Sequence, residues 1–222
     1  MSTTPFCTDL DLLHWEPNIL RDAAFASQTL ISGTGNLSGT GFSIASGSFT
    51  AANVQRDQVI AIDAPINGCF PIAAVTSATA LSISVLYDQL IDDEEGSRTA
   101  VATASATGVP FAIRTFWPQR MVVSELLAQA AGTGQSRNGE APATILDPTS
   151  LRRACVLGTL QMIYSALAGA ADESETHYSI RAELYERLYR RAMRSAQVAI
   201  DLDGDGRADA IRALNVLDLR RA

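Results

Sequence analysis

The residues best spaced for chemistry lie near the C-terminal end, in Asp201-Leu-Asp203-Gly-Asp205-Gly206-Arg-Ala-Asp209. Aspartates occupy positions 1, 3, 5 and 9 of a calcium-type loop, and glycine falls at position 6, where such a loop turns sharply. Ca2+ takes hard oxygen donors, so Asp201, Asp203, Asp205 and Asp209 are the metal candidates. The twelfth position should supply a bidentate carboxylate and is Arg212. The residues before the loop, VAI, read as a strand, whereas an EF-hand loop follows a helix. The competing reading is an Asp/Gly turn joining two short strands, VAIDLD and NVLDLR, with carboxylates accepting backbone N–H bonds. The spacing favours that turn. No cofactor is expected, and Ca2+ is the alternative.

Other reactive residue types are sparse. His14 and His177 are the only histidines, and neither stands in a pattern that pairs it with a nucleophile and a carboxylate. There is no HExxH and no GxSxG, and the absence of lysine excludes Schiff-base and P-loop chemistry. Cys7, Cys69 and Cys155 are far apart with no CxxC, which implies three thiols and neither a disulfide framework nor a zinc site. GTGNLSGTG, beginning at Gly33, misses the dinucleotide spacing and reads as a flexible loop. The chain is expected not to be an enzyme.

The elements that would position these residues follow from periodicity. Thr8 or Asp9 caps a short helix carrying Leu10 and Leu13, and NILRDAAFASQTL forms a second helical segment after Pro17. Between Asp22 and Arg56 the chain carries no charge, and apolar residues begin to alternate at Phe42 and Ile44, Val59 to Ile62, Phe70 and Ile72, and Leu81 to Val85. Asn67-Gly68 signals a hairpin, since both residues tolerate positive φ. Residues 30–115 read as an antiparallel β-meander curled into a barrel, broken by the acidic loop DQLIDDEEGSR. Trp117-Pro118 starts a helix with an apolar stripe at Met121, Val122, Leu126, Leu127 and Ala130, ended by Gly132 and the loop GTGQSRNGEAPAT. Asp147-Pro148 opens the most apolar helix, LRRACVLGTLQMIYSALAGA, which a DES turn follows. The next helix sets Tyr178, Ala182, Tyr185, Tyr189, Ala192 and Ala196 on one face and Arg187, Arg190, Arg191 and Arg194 on the other.

These elements predict an α+β fold: an antiparallel helical core from both chain ends, an inserted small antiparallel β-domain, and a C-terminal hairpin and tail. The segments are 1–29 (N-terminal helices of the core), 30–116 (β-rich insertion), 117–197 (helical core) and 198–222 (hairpin and docking tail).

An apolar fraction of 47% over 222 residues suits a folded protein and argues against disorder. No apolar run reaches the roughly 18–20 residues that span a bilayer, and the first residues lack the basic and apolar regions of a signal peptide. The net charge of −7 is uneven, with 14 acids against 6 arginines in residues 1–150 and 11 arginines against 10 acids after them. Duplex binding calls for a concentrated basic face. The arginine helix interleaves Glu183 and Glu186 at ion-pairing distance from Arg187 and Arg190, which suits a solvated or protein-facing helix better.

The order of a capped short helix (TDLDLLHWEP), a β-rich insertion, RTFWPQRMVVSELLAQAAG, two long helices and the ending HYSIRAELYERLYRRAMRSAQVAIDLDGDGRAD…LDLRR resembles the head–tail adaptor (connector) proteins of tailed bacteriophages and related gene-transfer particles. The resemblance covers the helical segments, about half of the chain, and not residues 30–115. It implies a structural component of the virion neck, made in the bacterial host cytoplasm and placed at the head–tail junction. Such adaptors form a ring under the portal protein, commonly a dodecamer, and extend the DNA channel without sequence-specific binding. They also dock the next neck or tail protein, a nozzle or stopper. In that family the C-terminal segment commonly reaches into the portal, which makes Leu217, Leu219, Arg220 and Arg221 the docking candidates. Arg187, Arg190, Arg191 and Arg194 become the inter-subunit helix face.

Overall fold

The computed structural model describes residues 4–85, 105–133, 143–170 and 176–214. The chain divides into two compact units, Thr8–Phe116 and a second made of Met1–Cys7 with Trp117–Ala222.

The first unit begins with helix α1 (Asp9–Trp15), whose start is a reciprocal capping box: the Thr8 hydroxyl accepts from the Asp11 amide at 3.3 Å, and the Asp11 carboxylate accepts from the Thr8 amide at 2.7 Å. The one-turn helix α2 (Ile19–Asp22) follows, with Ile19 and Leu20 buried. Six antiparallel strands come next: β1 (Thr29–Ser38), β2 (Gly41–Ile44), β3 (Val59–Ile62), β4 (Gly68–Ser77), β5 (Ala80–Ile83) and β6 (Ala106–Arg114). They close into a barrel in the order β1-β2-β5-β4-β3-β6, which removes the sheet's free edges. The order is not that of a meander, because β2 pairs with β5 and β3 with β6. Phe42, Phe49 and Phe111 fill the interior, with the Phe42 and Phe111 rings edge to face at 4.9 Å.

One local expectation changes here and another holds. The glycine-rich segment is strand rather than flexible loop, for Gly33 to Ser38 pair with β2 and β6. Gly35 is required there, since a Cβ would collide with the Phe42 ring and lie 2.7 Å from the Ser43 carbonyl. The hairpin expected at Asn67-Gly68 does join β3 to β4, through a five-residue connection that ends at Asn67, φ 50°.

The expected fold class is overturned. The chain is not an antiparallel helical core drawn from both ends with a small β insertion; a closed six-stranded barrel is the body of one unit, and α1 and α2 belong to that unit. The reason is a set of long-range bonds that no periodicity encodes. Asp9, 1% exposed, accepts from the Thr115 hydroxyl at 2.7 Å and from the Phe116 amide at 3.0 Å. Arg114 reaches the Leu20 carbonyl at 2.9 Å. The end of β6 thus holds both helices.

In the second unit, α3 (Trp117–Ala130) precedes the two-residue strand β7 (Thr144–Ile145) and a 3-10 turn at Pro148–Leu151, where the Asp147 side chain accepts from the Thr149 amide at 3.0 Å. Helices α4 (Arg152–Ala170) and α5 (Thr176–Ser195) run antiparallel, as their contacts show. Tyr164 stacks on Tyr185 at 5.5 Å, while nearer the start of α4 Gly158 meets Tyr189. A Cβ at Gly158 would come within 2.8 Å of Val123 and 3.0 Å of Tyr189, so this glycine lets α3, α4 and α5 approach. The buried face of α3 is also rotated from the expected stripe: Val122 and Leu126 are exposed, while Arg120, Val123, Ser124 and Leu127 are buried. Arg120 and Ser124 face inward because they bond the N-terminal strap, to the Cys7 carbonyl (2.8 Å) and from the Phe6 amide (2.9 Å).

Strands β8 (Gln197–Asp201) and β9 (Ala210–Ala213) complete a sheet ordered β7-β8-β9. The partner of VAID is therefore Ala210–Ala213 and not NVLDLR. Asn215 onward, the acidic run at 88–98, most of the loop 133–144 and the DES turn lie outside the described residues.

The Phe42–Phe111 contact at the barrel centre gives a first prediction. Phe42→Ala should lower stability by about 3–5 kcal/mol through a cavity, and Gly35→Ala by about 1–3 kcal/mol through overpacking; denaturant unfolding of each variant measures both.

Candidate functional site

The Asp201–Asp209 loop joins β8 to β9, and its backbone amides are turned toward its own carboxylates. Asp201 is 3% exposed; its Oδ1 accepts from the Gly204 amide at 2.6 Å and its Oδ2 from the Gly206 amide at 2.8 Å. Asp203 accepts from the Asp205 amide at 3.1 Å, Asp205 from the Arg207 amide at 2.7 Å, and Asp209 from the Leu202 amide at 2.7 Å. Gly204 and Gly206 sit at φ +83° and +80°, a conformation that glycine adopts without strain and that directs both amides inward. The Gly204 and Gly206 amides, joined by Asp203, hold the Asp201 carboxyl below the usual carboxylate range against the opposing effect of burial.

The four metal candidates are not equivalent. Carboxylate oxygens of Asp201, Asp203 and Asp209 lie within 4.8 Å of one another, and Asp205 is not part of that group. Arg212, at the place where a twelfth ligand would be sought, has another task. Its Nη1 donates to the Ala131 carbonyl at 3.0 Å, beside Gly132 at φ +75°, where α3 ends. A cation at a helix C-terminus satisfies orphan carbonyls and complements the helix dipole. Both oxygens of Asp201 and one each of Asp203 and Asp209 thus accept from the loop's own amides, and the arginine ties the hairpin to α3.

On α5 the arginine face stands out into solvent: Arg187, Arg190, Arg191 and Arg194 are all exposed, and Arg190 pairs with Glu186 one turn back. The same helix exposes Ile180 (65%) and Leu184 (42%), which with Arg187 and Arg191 make one stripe at helical spacing. Its other face packs through the tyrosines. Tyr164 of α4 stacks on Tyr185 with an interplanar angle of 4° and takes a hydrogen bond from Arg181 at 2.8 Å. Leu217, Leu219, Arg220 and Arg221 lie outside the described residues.

The histidines stay apart from these groups. His14 bonds the Leu10 carbonyl at 3.0 Å, and the exposed His177 ring lies tilted at 44° beside that of Tyr178. Sequence reasoning missed one constellation. Cys7 and Cys155, 148 positions apart, meet at an Sγ–Sγ distance of 2.8 Å inside the helical unit, beside Ser124 and Arg120. Only the apolar character of α4 around Cys155 hinted that this thiol is buried.

Protonation of Asp201 supplies a pH test. Because its folded value is depressed, the loop's contribution is complete above the unfolded carboxylate value, near pH ~4, and is lost as pH falls through the lower folded value. Asp201→Asn should lower Tm by a few degrees at pH 7, and the gap to the parent protein should narrow steadily on acidification in a thermal-melt series. Comparison of the chain with protein-family models, with characterised proteins and with solved structures finds no match.

Proposed function

We propose that the chain is a structural head–tail adaptor of a virion, a non-enzymatic component that forms a ring, in dodecameric form, under a portal protein. The observation that carries this reading is the two-sided helix α5. Tyr185 and Ala192 are buried on its inner side, while Ile180, Leu184, Arg187 and Arg191 stand exposed along one stripe. Arginines interleaved with aliphatic residues on a rigid helix suit a protein–protein contact, where arginine is enriched for its planar fork of donors. In this reading Arg187, Arg190, Arg191 and Arg194 meet the neighbouring subunit. The β8–β9 hairpin leads the chain into its last residues, where Leu217, Leu219, Arg220 and Arg221 dock into the portal. The net charge of −7 suits a lumen through which genomic DNA slides without being read. A nozzle or stopper would bind the opposite rim.

Mixing the purified chain with assembled portal tests the proposal directly. The chain should co-sediment with portal in a fixed ratio, and the double variant Leu217→Asp with Leu219→Asp should weaken that binding ~10-fold or more. A chain that ignores the portal at micromolar concentration would sink the assignment.

A second reading, a calcium-dependent binding module, rests on the approach of the Asp201, Asp203 and Asp209 oxygens. The loop amides that bond both Asp201 oxygens and one oxygen each of Asp203 and Asp209, and Arg212 at the twelfth position, weigh against it. Titrating Ca2+ to millimolar should leave Tm unchanged. A rise reversed by chelator would favour the module instead, because a ligand bound only to the native state stabilises it.

A further inference from the structure

Cys7 and Cys155 are both buried, at 2% and 0% exposure, and their sulfurs lie 2.8 Å apart. A disulfide bond is about 2.05 Å long, so an approach of about 0.8 Å separates the observed pair from a covalent bond. The pair sits in a polar niche of an otherwise apolar interior. The Ser124 hydroxyl is 3.4 Å from the Cys155 sulfur, and Arg120, 7% exposed, donates to the Cys7 carbonyl at 2.8 Å. The Phe6 amide donates to Ser124 at 2.9 Å. The N-terminal strap is therefore laid over α3 with its thiol delivered to α4.

We propose that Cys7 and Cys155 form a redox-responsive disulfide site that closes with hydrogen peroxide, or another small peroxide, and fastens the N-terminal strap to α4. The Cys155 thiolate attacks the peroxide: an S–O bond forms, the O–O bond breaks, and the departing hydroxide takes a proton to become water. Cys7 then attacks the Cys155 sulfur; the S–S bond forms, the S–O bond breaks, and the second oxygen leaves as water with the Cys7 proton. Two thiols are oxidised and one peroxide is reduced to two waters, so the step balances without a further reactant.

The environment of Cys155 supports its role as the attacking sulfur. Burial raises its pKa, but hydrogen bonds with Cys7 and Ser124, and the nearby Arg120 guanidinium, outweigh burial and hold the thiol below its ordinary range. Cys69, in the barrel unit, is an internal contrast: burial above all pushes it up to about 11, which leaves it protonated and slow at neutral pH. A small oxidant is specified because both sulfurs are nearly inaccessible, which shuts out a bulky disulfide.

The bond would have a topological effect. The barrel unit is entered from Cys7 and left at Trp117, so oxidation pins the first of its two tethers to the middle of the helical unit. The strap, held in the reduced chain by the Phe6–Ser124 and Cys7–Arg120 bonds, then cannot dissociate.

The test uses the full chain, exposed to hydrogen peroxide at neutral pH, quenched, denatured and alkylated. One alkylated thiol should remain in place of three, the protein should be two hydrogens lighter, and a non-reducing peptide map should join the Cys7 and Cys155 peptides while Cys69 carries the label. Reduction should restore all three thiols. Closure should be slower in Ser124→Ala, and Cys7→Ser should leave both remaining cysteines outside any intramolecular disulfide. Three labelled thiols after treatment, over-oxidation of Cys155 with Cys7 still free, or a disulfide that includes Cys69 would each overturn the proposal. Because the main readout is the parent protein, misfolding of a variant cannot mask the result.

Discussion

The Asp9 carboxylate accepts hydrogen bonds from the Thr115 hydroxyl and the Phe116 amide while lying 1% exposed. A carboxyl group withdrawn from water this completely must keep its partners, since a buried polar group left without one costs far more than one at the surface. The first residues of α1 are thereby fixed to the end of β6, more than a hundred positions away. Leu10, Leu12 and Leu13 follow α1 into the interior, and Arg114 binds α2 by its Leu20 carbonyl. Barrel and short helices form one unit because of this contact, and the division of the chain falls where it ends, after Phe116.

That contact also shows what the sequence could convey. Signals within one turn of helix or one strand were legible: the Thr8 cap, the Asp147 cap, the strand at Val59–Ile62 (though all four of its residues are buried and none alternates outward), and the stop of α3 at Gly132. Each depends on neighbours a few residues away. Which strand lies beside which depends on closing the barrel, and a period of two is identical for a meander and for the order observed. The role of α1 was hidden for the same reason: an amphipathic helix shows that it has an apolar face, not what covers it.

The C-terminal loop gives a parallel lesson. Its Asp and Gly residues suit both a turn and a metal loop, because both need carboxylates facing inward and glycine at the bend; the departure at Arg212 tilts the reading to the turn. Orientation separates them. The amides of Gly204 and Gly206 fill the Asp201 oxygens, and Arg212 reaches α3 instead of closing the loop. The arginine at the twelfth position, legible as a departure from the calcium pattern, acquires its reason only from Ala131, 81 residues earlier. The resemblance to adaptors drew on the helical segments and was silent about the barrel, which is about half of the chain.

The entry and exit of the barrel unit lie side by side, since the Asp9 carboxylate bonds the Phe116 amide. On the helical side, Cys7 is likewise held at the first turns of α3 through Arg120. The chain therefore leaves the helical unit and returns to it at nearly one point. Such a junction allows the barrel unit to vary in size or sequence while the helical unit keeps its own packing.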